Sequence, residues 1–187
     1  MQRIIVENRR KQRSTLEKMY PDAVLIDVTS KGEPLWVKFS PFYPHAGIPV
    51  PFSPGITAAS VEGIWQGLKV FESQDIDVAK FSITSMQGIK RSTRGNGAIK
   101  GHRRGVNGTE LLSYRDARYQ IYLPAYQWIL VHCLSDELAQ LEAIAANRTL
   151  VLLDYETNAD LDNLEKPLSH AALIQRYLQH HSLLMEP

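Results

Sequence analysis

The sequence predicts an α+β fold, mostly helical, with a few short strands in one domain. Three observations lead there. Of 187 residues, 44% are hydrophobic and 22% charged, which is ordinary for a chain that buries a core. Helix-compatible segments outnumber strand-like ones. The strand-like runs are scattered rather than alternating with helices, which argues against a doubly wound sheet. The expected domain spans residues 1–187, with a helix within 1–20 as an N-terminal extension.

The elements follow in order. Residues 3–19 mix apolar and charged positions with a helix-compatible spacing, and Tyr20-Pro21 is the stop. Residues 23–28 (AVLIDV) and 35–39 (LWVKF) read as short buried strands, with a turn at Gly32 between them. Residues 41–55 hold five prolines and two glycines, so an ordered loop is expected. Residues 60–73 read as a helix capped by Ser60. A mixed segment from residue 77 leads into a Gly-rich, basic loop over residues 91–108. Residues 114–132 look helical, with a break at Pro124. A further helix spans 136–146 with Ser135 as its cap. Residues 149–153 (TLVLL) form a buried strand. A last helix runs from Pro167 to Leu178, with proline in the first turn where it is tolerated.

Composition removes several classes of function. The one cysteine, Cys133, excludes an internal disulfide framework and a cysteine-only zinc site. No apolar run approaches the roughly 18 residues of a membrane span. The N-terminal stretch is basic but lacks a following apolar core, so it does not read as a secretory signal, and a cytoplasmic protein is expected. His102, His132, His180 and His181 show no metal-ligand spacing with acids or the cysteine. His132 and Cys133 cannot share a helix face. Neither a metal nor any other cofactor is expected, and no cysteine nucleophile. Tyr119, Tyr122, Tyr126 and Trp128 read as core.

The net charge of +1 hides segregation. Residues 80–104 carry seven Lys or Arg and no acid, whereas residues 133–166 carry eight acids against Arg148 and Lys166. A basic middle suggests an anionic partner, either a small phosphate or nucleic acid. It is equally compatible with solvated surfaces that neutralise each other.

The helix over 60–73 carries the functional argument. At the helical period, Val61, Ile64, Leu68 and Phe71 fall within about 80° of one another, and Glu62, Gln66 and Lys69 within about 60° on the opposite side. Trp65 borders the polar stripe. Glu62 stands in the first turn, where the helix dipole favours a carboxylate. Phe39, Phe42, Tyr43 and Phe52 of the preceding segment can wall a pocket beside it.

Phe39-Ser40-Pro41-Phe42-Tyr43-Pro44, followed by Ser60-Val61-Glu62 with Gln66 and Lys69, resembles the NADAR family, as a divergent member. That family is associated with NAD and ADP-ribose metabolism. Its signature is a Phe-Ser-Asn-Phe segment, then a helix with Glu-His, Gln four residues after the Glu and Lys seven after it. Here Pro41 replaces the Asn and Gly63 the His. The late Trp-Gly and Gly-Asn-x-Leu-Gly motifs are absent; residues 154–158 (DYETN) and 167–170 (PLSH) stand roughly there.

The resemblance implies an N-glycosidase that cuts a ribose–nitrogen bond in an ADP-ribosylated nucleobase or a related phosphorylated ribosyl compound. Glu62 and Lys69 are the implied catalytic residues. Glu62 can stabilise positive charge at the anomeric carbon or activate water. Lys69, as an amine of depressed pKa, can form a Schiff base with the opened sugar. Phe39, Ser40, Phe42, Trp65 and Gln66 are expected to shape the substrate site. Lys90 and Arg91, with Arg94 beside them, are expected to take phosphate, helped by close backbone approach at Gly88, Gly95 and Gly97. Asp154, Glu156 and Asn158 share one side of an extended backbone and can take ribose hydroxyls; His170 joins them. One cleft is then expected, holding phosphates at the basic loop and sugar at the acidic turn. The partner is a small ribosyl phosphate or ADP-ribosylated nucleic acid, not a membrane. The competing expectation is a non-catalytic nucleotide or nucleic-acid binding protein using residues 80–104, or an interaction protein without a working site.

Overall fold

The computed structural model describes residues 3–183. The fold is α+β, with helices and short strands in small sheets. In chain order the elements are β1 (Ile4–Asn8), α1 (Arg13–Met19), β2 (Val24–Asp27), a 3-10 turn (Trp36–Phe39), β3 (Ile48–Pro49) and β4 (Thr57–Ala58). Next come α2 (Val61–Gly67), β5 (Lys69–Phe71), a second 3-10 turn (Val78–Ser82), β6 (Ile99–Arg103) and β7 (Leu111–Leu112). The chain ends with α3 (Tyr114–Ala117), a π-helical turn (Arg118–Tyr122), α4 (Leu123–His132), α5 (Ser135–Asn147), β8 (Leu150–Asp154) and α6 (His170–His180). Two compact units result: one holds the residues up to Ser40 together with those from Leu130 onward, the other Pro41–Ile129.

In the discontinuous unit, β8 lies between β1 and β2 in a three-stranded parallel sheet, with both Ile4 and Val24 in register with Leu150. Its sequence LVLLD is the near-continuous apolar run of a central parallel strand. The helix expected over 3–19 is a strand followed by a shorter helix. Ile4-Ile5-Val6 is a β-branched run, and pairing with β8 outweighs its helical spacing. The strand expected over 35–39 is a 3-10 turn, because the Glu33 carbonyl accepts the amides of both Trp36 (2.9 Å) and Val37 (2.8 Å). Pro34 presets φ for such a turn. Ser169 caps α6, its hydroxyl accepting the Ala172 amide at 3.2 Å. The helix thus starts at His170 rather than at Pro167.

In the contiguous unit, the Pro-rich segment contains the small antiparallel pair β3–β4. β5, β6 and β7 form a second antiparallel sheet with β6 in the middle. β6 lies inside the stretch expected to be a loop. The helix expected to reach Ser73 stops at Gly67. A Cβ at Gly67 would stand 2.3 Å from the Phe81 ring, and one at Gly63 would stand 2.7 Å from the Lys80 carbonyl oxygen. α2 therefore lies flush on the 3-10 turn Val78–Ser82. Val70 and Phe71, good strand formers, then pair with β6. The helical run from Tyr114 does not break at Pro124. A π-turn just before it absorbs the missing N–H and the ring. No helix among the described residues is long and apolar enough to cross a membrane.

Candidate functional site

α2 is anchored at both edges of its first turn. The Ser60 hydroxyl accepts the Gly63 amide at 3.0 Å. The Glu62 amide donates to the Pro41 carbonyl at 2.8 Å, tying the helix start to the Pro-rich segment. Val61, Ile64, Leu68 and Phe71 are buried at 2% exposure or less. The opposite stripe is unusual because it is buried as well: Glu62, Gln66 and Lys69 are 7%, 5% and 8% exposed.

These three side chains form a row. Gln66 Nε2 donates to Glu62 Oε1 at 2.8 Å, and Lys69 Nζ donates to Gln66 Oε1 at 3.1 Å. The same Oε1 accepts the backbone amide of Arg91 at 3.0 Å. A backbone N–H can only donate, so the orientation of the Gln66 amide is fixed. Lys69 belongs to β5, not to the helix, yet it still reaches back one turn.

Desolvation governs the row's electrostatics. Burial pushes the Glu62 carboxyl up from its ordinary range, against the lowering effects of Gln66, Lys69 and Lys90. Burial pushes the Lys69 amine down; Glu62 opposes this, and Arg91 and Lys90 add to it. Both shifts favour a protonated acid and a free amine. Lys90 itself is exposed and lies over the Phe42 ring, 5.3 Å from its centroid.

Arg91 binds the backbone of its own chain. Its guanidinium donates to the carbonyls of Gln66 (3.2 Å), Lys69 (2.6 Å) and Asp75 (2.8 Å) and stacks over Phe71. It is a buckle holding the end of α2 to the start of β5. The rest of the basic segment is largely neutralised within its own unit. Lys100 pairs with Glu72, Arg103 with Asp75 and Arg104 with Glu110, while Lys80 donates to the Gly88 carbonyl near Asp77. The charge segregation of the sequence is therefore partly dissolved by acids at residues 72–77 and 110.

Phe39 and Ser40 are buried. They are 0% and 1% exposed in the other unit, and the Phe39 ring stacks on Trp36. Phe42 is half-buried.

Asp154 and His170 also belong to the other unit. There His170 Nδ1 lies 3.0 Å from Asp154 Oδ2, and Nε2 lies 2.8 Å from the Val28 carbonyl. Both nitrogens face acceptors, an arrangement that favours the doubly protonated ring. Although burial opposes charge in each partner, attraction between them holds Asp154 below and His170 above its ordinary value. Ser169 Oγ adds a hydrogen bond to Asp154 Oδ2 at 2.8 Å. This is an internal clamp between β8, α6 and the residue after β2. Asn158 is similarly occupied: its amide donates to the carbonyls of Asn163 and Lys166. Glu156 is half-buried.

Sequence reasoning missed His102. It stands on β6 directly opposite Lys69, and its ring packs on Trp65 with centroids 3.8 Å apart and the planes tilted by 32°. Trp65 in turn meets the ring edges of Tyr114 and Tyr122. The available signal was the run Ile99-Lys100-Gly101-His102-Arg103, too short and polar to read as a strand beside its glycines.

An α+β chain carrying a buried acid–amide–amine row at a helix–strand junction is the class that fold and site define. The chain belongs to a family of unknown function, DUF6939, whose profile matches residues 8–174. No curated protein matches it.

Proposed function

We propose that this chain is a cytoplasmic N-glycosidase that hydrolyses the ribose–nitrogen bond of an ADP-ribosylated nucleobase or related phosphorylated ribosyl compound. The reading draws on the resemblance to the NADAR motif. The observation that carries it is the Glu62–Gln66–Lys69 row, an acid pushed towards its protonated form and an amine pushed towards its free form within one hydrogen-bonded chain. Strongly perturbed groups of opposite type brought together are what acid–base and nucleophilic chemistry needs.

The roles follow from the directions of those two shifts. The Lys69 nitrogen attacks C1′ and forms a C–N bond. The bond to the leaving nitrogen breaks, and that nitrogen takes the proton of Glu62. Ring opening moves a proton from Nζ to the ring oxygen and leaves an imine. Water adds to the imine carbon, giving up its proton to the Glu62 carboxylate. The C1′–Nζ bond then breaks as the new hydroxyl becomes the aldehyde carbonyl and its proton passes to Nζ, freeing the ribosyl phosphate product and Lys69, and one water is consumed overall. Phe42 and Trp65 offer apolar surface for a base or ribose, and Lys90 offers a cation for phosphate. Gly63 has no room for the side chain that the NADAR pattern places there, so any histidine role must come from elsewhere.

The test is incubation with a panel of ADP-ribosylated nucleobases, nucleosides and NAD, with release of ADP-ribose measured. Borohydride present during turnover should reduce the imine and leave a ribosyl adduct on Lys69, read by peptide mass. Release that survives Glu62→Gln together with Lys69→Ala refutes these roles. Binding without release from any member favours the non-catalytic nucleotide-binding reading.

A further inference from the structure

His102 is 1% exposed, yet neither ring nitrogen has a protein hydrogen-bond partner. The Trp65 carbonyl is near enough to favour the protonated ring slightly but lacks hydrogen-bond geometry. A buried imidazole left in that state is costly. Elsewhere in the contiguous unit, polar side chains of low exposure are satisfied: Ser53, Ser60, Glu62, Gln66 and Lys69 all have partners. The exception stands beside the proposed site. In the β5–β6–β7 sheet, His102 is flanked on one strand by Lys69 and on the other by Leu112. Antiparallel partners point to the same face, so the imidazole and the Lys69 amine share one side of the sheet. Trp65 covers one face of the imidazole ring. Leu112 can accept or donate nothing through its side chain.

We propose that His102 is a binding residue of the Glu62–Gln66–Lys69 site, its imidazole taking a hydrogen bond from a hydroxyl of the ribosyl group that Lys69 attacks. This rests on the N-glycosidase reading for the identity of the ligand. Burial, with the Lys69 charge next, lowers the His102 pKa to about 3. The ring is thus neutral at working pH and offers a lone pair as well as one N–H. A hydroxyl can satisfy either. Neutrality also keeps an imidazolium charge away from the carbon where positive charge develops.

The experiment has two arms. In the first, His102→Phe keeps the stack on Trp65 and removes both nitrogens. Replacing an unpartnered buried polar group by an apolar one of like shape should leave Tm unchanged or raised. KM for the cleaved substrate should rise about tenfold while kcat changes less. A variant with lowered Tm and unchanged KM shows a structural role and overturns the proposal. In the second arm, ADP-ribose at millimolar concentration is added to wild-type protein carrying 15N-histidine. The His102 ring resonances should move, with no His102 titration near pH 6.5 before or after. If no panel member is cleaved, the glycosidase reading fails, and this arm still decides the inference: moving resonances uphold His102 as a ligand contact, and unmoved ones overturn it.

Discussion

In one unit a buried carboxylate touches a buried imidazole directly, at 3.0 Å. In the other, a buried carboxyl and a buried amine are held apart by an amide. The ingredients are alike: an acid, a base and little water. The direct contact drives Asp154 and His170 towards charge. The spaced arrangement leaves desolvation ahead and drives Glu62 and Lys69 towards neutrality. Coulomb attraction falls with separation, while the desolvation penalty of each group does not. One residue of spacer thus separates a pair driven towards charge from a pair driven towards neutrality.

The same isosteric change at the two carboxylates should break the comparison open. Asp154→Asn leaves a buried imidazolium without its counter-charge and should cost about 3–5 kcal/mol of stability in urea unfolding. Its pH dependence has a definite sign. The Asp154 contribution is present above its unfolded value near 3.8 and is lost as pH falls through the lower folded value. The His170 contribution is complete below 6.5 and is lost as pH rises through the higher folded value. The gap between wild type and variant should be widest from about pH 4 to 6.5 and shrink on both sides.

Glu62→Gln should do the reverse. Because burial raises the Glu62 pKa, keeping it ionised weakens the fold progressively above pH 4.5. The glutamine variant should therefore be as stable as wild type or more so at pH 7, while glycosidase activity falls about 100-fold or more. Clear destabilisation by this variant would mean that Glu62 is a structural partner like Asp154.

A third test disturbs the spacing. Gly63→Ala places a Cβ 2.7 Å from the Lys80 carbonyl oxygen, against backbone that cannot swing aside. It should cost about 1–3 kcal/mol and loosen the row, seen as a fall in borohydride-trapped Lys69. The smallest effect belongs to Lys90→Gln. At this exposed position stability should change by about 0.5 kcal/mol or less. Since the Lys90 charge depresses Lys69, the pH midpoint of Lys69 trapping should move upward.

What the sequence disclosed and what it hid divide along local and non-local physics. The cap at Ser60, the two faces of α2, the strand Leu150–Asp154 and the presence of α5 and α6 depend on near neighbours and are legible as spacing. The starts of those two helices are not: Ser135 is the first residue of α5, with Leu134 at the cap position, rather than its cap, and α6 begins at His170, not Pro167. Ile4–Asn8 was not, because only β8 makes it a strand. β5 and β6 were hidden for the same reason, and with them the pairing that sets His102 opposite Lys69. The burial of Glu62 and Lys69 could not be read from a stripe of Glu, Gln and Lys, which is usually solvated. Arg91 resembles a phosphate ligand in sequence, and only its three backbone carbonyl partners show that it is a buckle.

The parallel sheet carries one more consequence, for biosynthesis. Its middle strand, β8, is the last of the three to leave the ribosome, after the whole of the contiguous unit. At roughly 5–20 residues per second, the nascent chain presents β1 and β2 without their shared neighbour for on the order of ten seconds. Unpaired strand edges of this kind are sticky, and Ile4-Ile5-Val6 and Val24-Leu25-Ile26 are the apolar stretches that wait. The segment Pro41–Ile129 has all its own strand partners in hand by then. The order of synthesis therefore favours maturation of the Glu62 unit first, with closure of the His170 clamp as the final step, when α6 emerges.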